Sequence, residues 1–346
     1  MERALLSAQW PPPLLNEITN PVAFLRFDTC TQVEILQTHS SAVLLTPRFA
    51  FKIKKPVNLG FLNYSSLGAR MRACAAELSL NRRLCPQVYL DVQPICIRKG
   101  ELTIGGDGEP IEYALRMNRL DGCRMLDRMA ADHTVTLPEM QTLVDRMAIF
   151  HTSAPRGRYA HHFGDPKLIR QTIDRALSLM ARVGESAISP PQIARIRTGM
   201  DGRFIDSRIL LAARSAAGLT RECHGDLRVQ NVCFDPRYDG GVQLFDCLEF
   251  SQRLRFIDLA ADIAYLDMDF ELVGRSDLQA QLVELCSHYS VYDGYRAIAP
   301  MYRLYRSIVR GNIAILASIA MKHLPDEKMR QLQVAKAAYD LALSYV

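Results

Sequence analysis

The sequence predicts an α+β protein in two parts, a small sheet-rich part followed by a larger and mostly helical one. Short β-branched or aromatic runs, separated by polar breaks, fill most of the first third. After Asn118, segments with helical spacing take over. Because the chain has 346 residues and an average domain has ~150, we expect two domains, 1–117 and 118–346, with a joint near Met117–Gly122.

Strands and one helix are predicted before this joint. The helix covers Ser65–Leu84, where apolar residues recur at helical spacing, Ser65 or Ser66 can cap the first turn, and Pro86 ends the element. The strands form an antiparallel sheet, and their predicted bounds are Val33–Leu36, Ala42–Thr46, Phe49–Ile53, Val88–Ile97, Leu102–Ile104 and Ile111–Met117.

Helices dominate the prediction for the second part, and several of them carry proline at or near the first turn. A strand-rich piece, Arg221–Phe250, interrupts them. The sequence therefore predicts two lobes, a small antiparallel-sheet N-lobe with one main helix and a large, mostly helical C-lobe. The predicted helices are Pro138–Thr152, Pro166–Val183, Pro191–Ala217, Ser276–Tyr289, Ala299–Met321 and Asp326–Tyr345.

Composition excludes several classes of protein. The chain is 49% apolar and 23% charged, which is typical of a globular protein, and the net charge of +5 is too small to indicate a nucleic-acid partner. The nine cysteines include no C-x-x-C pair, so we expect neither a disulfide framework nor a clustered zinc site. Free cysteines, and the lack of a signal-peptide pattern or a long apolar stretch, predict a cytoplasmic protein that does not bind membranes.

The segment His224–Asn231 carries the clearest chemistry. It reads H-G-D-L-R-V-Q-N, with Asp226 two residues after His224 and Asn231 five residues after Asp226. This is the catalytic-loop spacing of protein-kinase-like enzymes. A carboxylate can orient an attacking hydroxyl and accept its proton, and an amide oxygen suits Mg²⁺. Asp226 would be the base and Asn231 a metal ligand.

A second carboxylate follows at the end of an apolar strand. Val242–Asp246 reads V-Q-L-F-D and comes after a turn, so two paired strands would place Asp246 beside Asn231 as a second metal ligand. An isolated H-G-D could simply cap a turn, and Asp often does so at a strand end. The order and spacing of the two motifs together favour phosphoryl transfer.

These motifs resemble the aminoglycoside phosphotransferase-like branch of the protein-kinase-like fold. The resemblance is strongest to a bacterial kinase-like module found in proteins described as bifunctional aminoglycoside phosphotransferase and ATP-binding proteins, and it covers roughly Glu34–Ala320. The stretches that carry it are F-A-F-K-I-K-K-P-V from Phe49, G-F-L from Gly60, L-N-R-R-L from Leu80, R-E-C-H-G-D from Arg221 and F-D-C-L-E-F from Phe245.

The resemblance implies a role for particular residues. His224 and Asp226 would belong to the catalytic loop, and Lys52 would pair with nucleotide phosphates while forming an ion pair with Glu77. Arg116–Leu120, including Met117 and Asn118, would be the joint whose backbone holds adenine. Lys54 lies on the same strand face as Lys52 and competes for the phosphate role; alternatively, Lys54 and Lys55 are a solvated basic edge.

The chain departs from the family pattern in its nucleotide cover. No glycine precedes Gly60, so the turn Thr38–Ser41 would have to cover the phosphates with the hydroxyls and N–H groups of Ser40 and Ser41. This departure keeps open an inactive, nucleotide-binding pseudokinase that regulates a partner. A P-loop ATPase domain often follows the related module; no G-x-x-x-x-G-K-[ST] occurs here, so a separate P-loop ATPase is the partner that the resemblance implies.

The acidic residues after the catalytic loop allow two readings. Asp267, Asp269 and Glu271 could contact a cationic acceptor, or they could be structural. In the family, the Asp of the I-D-L-A pattern, here Asp258, braces the catalytic loop. Glu249 would lie behind the metal site or pair with Arg253 or Arg255.

Two further patterns are predicted to be structural. His151 is expected to be a structural histidine, although its position is family-like. The arginines of 303–310 are expected to be solvated on a packed helix, although their interleaving with tyrosines could mimic a nucleic-acid face.

The sequence predicts an enzyme that uses ATP and Mg²⁺ and moves the γ-phosphoryl group of ATP to a hydroxyl of an unidentified small molecule, aminoglycoside-like or a metabolite. The alternatives are the pseudokinase and a kinase-fold enzyme that modifies proteins. The sequence names no acceptor.

Overall fold

The computed structural model describes residue 14 and residues 19–38, 40–58, 60, 62–98, 100–321 and 325–346. The chain divides into two compact units. The first runs to Asp121 and also includes Glu249–Ser251, and the second comprises Gly122–Leu248 and Gln252–Val346. The sequence placed the boundary four residues earlier, after 117, and did not anticipate that 249–251 belong with the first unit.

The first unit contains a six-stranded antiparallel sheet in the order β1-β2-β3-β6-β4-β5. Every strand predicted in this region is present, with bounds shifted by at most one residue. The strands are β1 (Glu34–Gln37), β2 (Ser41–Leu45), β3 (Phe49–Lys54), β4 (Tyr89–Arg98), β5 (Glu101–Ile104) and β6 (Pro110–Asn118).

One main helix, α1 (Leu67–Asn81), accompanies this sheet, as predicted. Ser66 is its N-cap and accepts a hydrogen bond from the Ala69 N–H, which satisfies one of the free donors of the first turn. Arg70 of α1 donates to both carboxylate oxygens of Glu112 on β6, at 2.9 and 2.7 Å, and both residues are buried. This ion pair, in which both oxygens share the single Nε–H of Arg70, fixes the helix to the sheet.

The core of the first unit lies on one face of the sheet. Phe51 of β3 is fully buried and meets Phe24 edge to face, with ring centroids 5.1 Å apart. Leu44, Ile53 and Ile95 from three different strands complete the same apolar cluster. Because side chains alternate along β3, Lys52 and Lys54 lie on the face of the strand opposite to Phe51 and Ile53.

The second unit is mostly helical, as predicted, and contains four short strands. Its helices are α2 (Leu126–Ala131), α3 (Leu137–Ser153), α4 (Arg158–Phe163), α5 (Pro166–Val183), α6 (Pro190–Ala216), α7 (Gln252–Arg255), α8 (Leu259–Leu272), α9 (Ser276–Cys286), α10 (Tyr295–Ala320) and α11 (Pro325–Ser344). Its strands are β7 (Thr220–Glu222), β8 (Val232–Cys233), β9 (Gln243–Leu244) and β10 (Phe256–Asp258). The predicted α+β fold class is confirmed.

The helix prediction went wrong where a helix is short or lacks a polar face. The six-residue helices α2 and α4 were missed. Helix α8 is absent from the predicted helices, because 12 of its 14 residues are buried and no polar stripe marks a period. Helix α10 begins at Tyr295, not Ala299, and accommodates Pro300 near its start. No helix among the described residues is long and apolar enough to cross a membrane.

Helices α10 and α11 pack closely at Gly311. A Cβ atom placed on Gly311 would lie 2.3 Å from Cε1 of Tyr339, whose ring is fully buried. The Tyr339 hydroxyl donates to Asn312 Oδ1 at 2.9 Å, and the Asn312 amide donates to the Ala176 carbonyl of α5. This network ties three helices together and leaves the Tyr339 ring no room to move.

We therefore predict that Gly311→Ala destabilises the protein by about 1–3 kcal/mol, because the added methyl overpacks the helix contact. The matched control is Gly202→Ala in α6, where nothing lies within 4 Å of the new methyl. That change should stabilise the protein by about 0.5–1 kcal/mol through helix propensity. Urea unfolding of both variants tests the prediction; equal effects would contradict it.

Candidate active site

The catalytic loop holds Asp226 from two sides. Arg228 donates Nε and Nη2 to the two carboxylate oxygens of Asp226, at 3.0 and 2.9 Å. Asn231 donates its amide to the Asp226 carbonyl at 2.8 Å and to Asp226 Oδ2 at 3.2 Å. The Asp226 side chain keeps 21% exposure, so a fixed carboxylate remains accessible to solvent.

Asp262 of α8, which is fully buried, clamps the backbone of this loop. Its Oδ2 accepts the His224 N–H at 2.8 Å and its Oδ1 accepts the Gly225 N–H at 2.9 Å. The expectation that Asp258 braces the loop is wrong. Asp258 instead caps α8 through the Ala260 N–H and forms a buried two-pronged ion pair with Arg214. Asp262 lies one helical turn after Asp258, and the position of α8 determines that Asp262 is the aspartate that reaches the loop.

His224 has a single tautomer in this geometry. Burial lowers the pKa of His224, so its ring is neutral. Nε2 lies 2.9 Å from the Phe245 carbonyl and must carry the proton, because a carbonyl can only accept. Nδ1 is then free to accept the Asp226 N–H at 3.3 Å. His224 thus links the loop to the strand before Asp246 and orients the backbone of Asp226.

Asn231 and Asp246 are brought together by strand pairing, as the sequence predicted. Strands β8 and β9 pair antiparallel, and the Phe245 N–H donates to the Asn231 carbonyl at 3.0 Å. Asp246 follows with φ at +64°, a left-handed conformation that Asp tolerates better than most residues. Their role as metal ligands stays a prediction.

The donor set around Asn231 is compatible with Mg²⁺. The Asn231 amide nitrogen is used by Asp226, while its amide oxygen accepts no hydrogen bond from any described residue. An oxygen with no protein donor, on a nearly buried side chain next to a carboxylate, is the kind of ligand that Mg²⁺ prefers.

One other group could in principle ligate a metal. Among the described residues, ligand atoms of His151, Cys223 and Asp262 lie within 4.8 Å of one another, and all three are buried. The two ring nitrogens of His151 are already engaged, with Tyr292 at 2.9 Å and Asp262 at 3.2 Å. These contacts agree with the structural role predicted for His151.

The first unit contains a buried cluster of lysines and glutamates. Lys52 of β3 lies 2.8 Å from Glu77 of α1, the contact that the resemblance implied. Lys54 forms ion pairs with both Glu77 and Glu249. Tyr64 donates its hydroxyl to Glu249 at 2.5 Å. Glu249 therefore pairs with Lys54; the expectation of an arginine partner was wrong, since Arg255 pairs with Glu222 and Arg253 donates to Thr172.

Opposing effects set the charge of Glu249. Burial raises the pKa of Glu249, but the cations of Lys54 and Lys52 outweigh burial and hold it below its ordinary value. Lys54 is only 3% exposed in its side chain, against 11% for Lys52. Lys54 and Lys55 are thus buried, and the solvated basic edge is not observed. Desolvation lowers the pKa of Lys55 to about 8.

The turn proposed to cover the phosphates uses some of its N–H donors in hydrogen bonds within the turn itself. The Ser41 N–H donates to Thr38 Oγ1 at 3.0 Å, and the Ser40 carbonyl accepts the Lys55 N–H. Ser41 is buried and its hydroxyl has no hydrogen-bond partner, whereas Ser40 is half-buried. His39, between Thr38 and Ser40, lies outside the described residues. The Ser41 N–H is therefore not available to a phosphate in this conformation.

The predicted adenine joint lies at the end of β6. Met117 pairs with Ala50 and with Tyr89, and Asn118 pairs with Phe49. The Asn118 amide also donates to the Gln87 carbonyl at 2.8 Å. The structure fixes the backbone of both residues, and their contact with a nucleotide stays a prediction.

The acidic residues of α8 all have partners in the protein. Asp269 accepts the Val229 N–H at 3.0 Å, and Asp267 accepts from Gln279 at 2.7 Å. Glu271 pairs with Arg303 and accepts the Tyr345 hydroxyl. The structural reading is therefore the observed one. The arginines of 303–310 are not solvated as expected: Arg306 is buried and donates to the carbonyls of Gly225 and Ala261.

Sequence reasoning missed the roles of Arg228 and Asp262, and it named Glu249 without its lysine partner. A signal existed for Arg228, which lies within the catalytic-loop motif. Asp262 and Glu249 act across long sequence separations, and no local pattern distinguishes them from neighbouring carboxylates.

Comparisons with known proteins were made with sequence and structure. No family model matches the sequence. The chain is 31% identical over 288 residues to uncharacterized proteins of Mycobacterium bovis and Mycobacterium tuberculosis, a match that covers 81% of this chain and 54% of each relative. The chain thus spans about half the length of the curated relatives it matches.

The similar solved structures are kinase-like proteins of low sequence identity. A choline/ethanolamine kinase family protein from Mesorhizobium loti has a TM-score of 0.49 and 13% identity, covering 99% of this chain and 97% of that chain. A putative aminoglycoside phosphotransferase from Ralstonia eutropha has a TM-score of 0.42 and 13% identity, covering 90% and 92%. These values do not transfer an activity, so the function of this chain is inferred from its own residues.

We predict that Asp262 stabilises the protein in a pH-dependent way. Burial raises the pKa of Asp262, but the hydrogen bond and charge of His151 and the nearby Arg306 lower it to about 2, below the ordinary 3.8. The ionised carboxylate should therefore contribute roughly 2–3 kcal/mol above pH 5, and this contribution should fall as the pH drops from about 4 toward 2.

Urea unfolding of the wild type and Asp262→Asn at pH 7 and pH 3 provides the measurement. The stability difference between the two proteins should be smaller at pH 3 by roughly 1 kcal/mol. Asp340→Asn, an exposed carboxylate on α11, is the control and should show no such change. A difference for Asp262→Asn that does not vary with pH would contradict the prediction.

Proposed function

We propose that this protein is a phosphotransferase that uses ATP and Mg²⁺ and phosphorylates a hydroxyl group of a small molecule. The observation that carries the proposal is the loop geometry: Asp226 is fixed by Arg228 and Asn231, and the Asn231 amide oxygen is left without a hydrogen bond. The motif resemblance supports the same class of reaction.

In this proposal Asp226 orients the acceptor hydroxyl and takes its proton as the hydroxyl oxygen attacks the γ-phosphorus of ATP. The bond from that phosphorus to the bridging oxygen breaks, and ADP leaves. Arg228 holds the carboxylate in one orientation, and Asp262 fixes the loop that carries it. Asn231 and Asp246 would hold Mg²⁺, which neutralises charge on the phosphates when bound. Lys52, held by Glu77, would bind a phosphate oxygen of the nucleotide.

A pseudokinase is the second candidate, and one observation favours it. Both oxygens of Asp226 accept from Arg228, so the base is partly occupied before any substrate binds. A pseudokinase binds MgATP and transfers nothing. The same site residues would then hold the nucleotide for the regulation of a partner.

Asp226→Asn tests the catalytic assignment. We expect it to lower phosphoryl transfer, measured as ADP release in the presence of a panel of hydroxyl compounds, by about 10²–10⁴-fold. MgATP affinity, measured by calorimetry, should change little because Asp226 binds the acceptor. Asp246→Asn should instead remove the Mg²⁺ dependence of ATP binding.

Asp340→Asn serves as the control for both changes and should behave as the wild type. Full turnover in Asp226→Asn would refute the assignment of the base. Wild-type protein that binds MgATP and phosphorylates no compound in the panel would favour the pseudokinase.

The two lysines of β3 should separate in a paired experiment. We expect Lys52→Met to weaken MgATP binding by about tenfold or more, because the Lys52 side chain is the more exposed of the two. Lys54→Met should instead destabilise the protein by about 3–5 kcal/mol, because it leaves Glu77 and Glu249 buried with a charge deficit. Thermal unfolding and calorimetry of both variants make the comparison, and the reverse pattern would assign the phosphate to Lys54.

A further inference from the structure

Unpaired hydrogen-bond donors collect beside the catalytic loop in the second unit. We call Tyr265 of α8 and Arg306 and Arg310 of α10 the donor cluster. Arg306 and Arg310 lie one helical turn apart, so they share a face of α10. The Arg306 guanidinium lies over the Tyr265 ring, 4.7 Å from its centroid. Arg310 is close enough to Tyr265 and Asp226 for their charges to act on it.

Each member of the cluster has a buried donor with no partner. These are the Tyr265 hydroxyl, Arg306 Nη2 and Arg310 Nε. Tyr265 and Arg306 are more than nine-tenths buried. Leaving a buried donor unsatisfied is energetically costly, and more so for a charged group. Three such donors in one place indicate a group that the protein is built to receive.

No carboxylate nearby can supply the missing acceptors. Asp269 is the nearest to Arg310, but the separation of 3.7 Å from Arg310 Nε is too long for a hydrogen bond. Asp269 also accepts the Val229 N–H. Asp226 is engaged by Arg228, and Asp262 by the loop backbone and His151.

The same inventory argues against a cationic ligand. A cation would require carboxylates without partners, and the aspartates and glutamate of α8 that were candidates for this purpose are all engaged inside the protein. The groups of the donor cluster that lack a hydrogen bond are two guanidinium nitrogens and a hydroxyl. An anion would complete the cluster, and the side chains of Arg310 and Asp226 keep exposed fractions of 16% and 21%.

We propose that the acceptor substrate carries an anionic group, a phosphate or a carboxylate, that binds to Tyr265, Arg306 and Arg310 while its hydroxyl lies at Asp226. This inference rests on the proposed phosphotransferase function and adds the charge class of its substrate. It reverses the expectation of an aminoglycoside-like cation. Arg228 remains the partner of Asp226 and adds positive charge without binding the ligand.

Binding of inorganic phosphate by calorimetry is the first test, with spermidine as the cationic probe. The titration is repeated with a saturating non-hydrolysable ATP analogue and Mg²⁺, which fills any site for the transferred phosphoryl group. We expect phosphate to bind in both conditions and spermidine to bind in neither. Loss of phosphate binding when the analogue is present would assign the donor cluster to the nucleotide and overturn the proposal, as would binding of spermidine alone.

Variants locate the anion on the donor cluster. Arg310→Gln removes the most exposed cation and should weaken phosphate binding by about tenfold or more. Tyr265→Phe removes only a hydroxyl, so it keeps the packing and should weaken phosphate binding by a smaller factor. Arg330→Gln, an exposed arginine on α11, is the matched control and should bind phosphate as the wild type does. Unchanged phosphate affinity in both Arg310→Gln and Tyr265→Phe would refute the site.

Failure of this inference is distinguishable from failure of the proposed function. MgATP binding is measured on the same samples. Protein that binds MgATP and no phosphate keeps the kinase assignment and loses the anionic acceptor. Protein that binds phosphate through Arg310 but no MgATP loses the kinase assignment, and the acceptor role of the cluster is refuted with it.

Discussion

The clamp by the buried Asp262 carboxylate is the interaction on which the catalytic loop depends. One side chain accepts the N–H groups of His224 and Gly225 and pairs with His151. An isolated carboxylate at this depth would be costly, and these donors compensate for the lost hydration. Because the clamp acts on backbone groups, it fixes the path of the chain into Asp226 whatever side chains surround it.

The rest of the loop follows from that fixed path. Neutral His224 bridges to the Phe245 carbonyl, and pairing of β8 with β9 carries Asp246 to Asn231. In the first unit a different solution is used: Lys52 and Lys54 share Glu77 and Glu249 in a buried cluster with balanced charge. The lysines and glutamates of this cluster all belong to the first unit.

The donor cluster differs from the best-paired arginine of the second unit. The buried Arg214 meets the Asp258 carboxylate with both prongs. Arg306 Nη2 and Arg310 Nε have no hydrogen-bond acceptor among the described residues, although Arg310 Nε lies 3.7 Å from Asp269 Oδ1, and Arg303 Nε of the same helix is buried without a hydrogen bond as well. Binding of an anionic substrate is the use that we propose for the donors beside the candidate base.

The sequence by itself determined most elements and identified the candidate site residues. The strands of the sheet were predictable because alternation of apolar side chains is local, and α1 because its cap and its stop signal are local too. Asp226, Asn231 and Asp246 were identified by spacing, since the catalytic loop is a short contiguous segment. The contact of Lys52 with Glu77 followed from a resemblance that matched residue by residue.

Only the tertiary structure decided which charges meet. Asp258 and Asp262 are one helical turn apart, and the docking of α8 determines that Asp262 reaches the loop. Glu249 has arginines close to it in sequence, yet it pairs with Lys54, 195 positions earlier in the chain. Hydrogen bonds and ion pairs of this kind require remote segments to be positioned to within a few tenths of an ångström. The charge class of the acceptor depends on the same remote pairing, because it is set by the donors that the fold leaves unpaired.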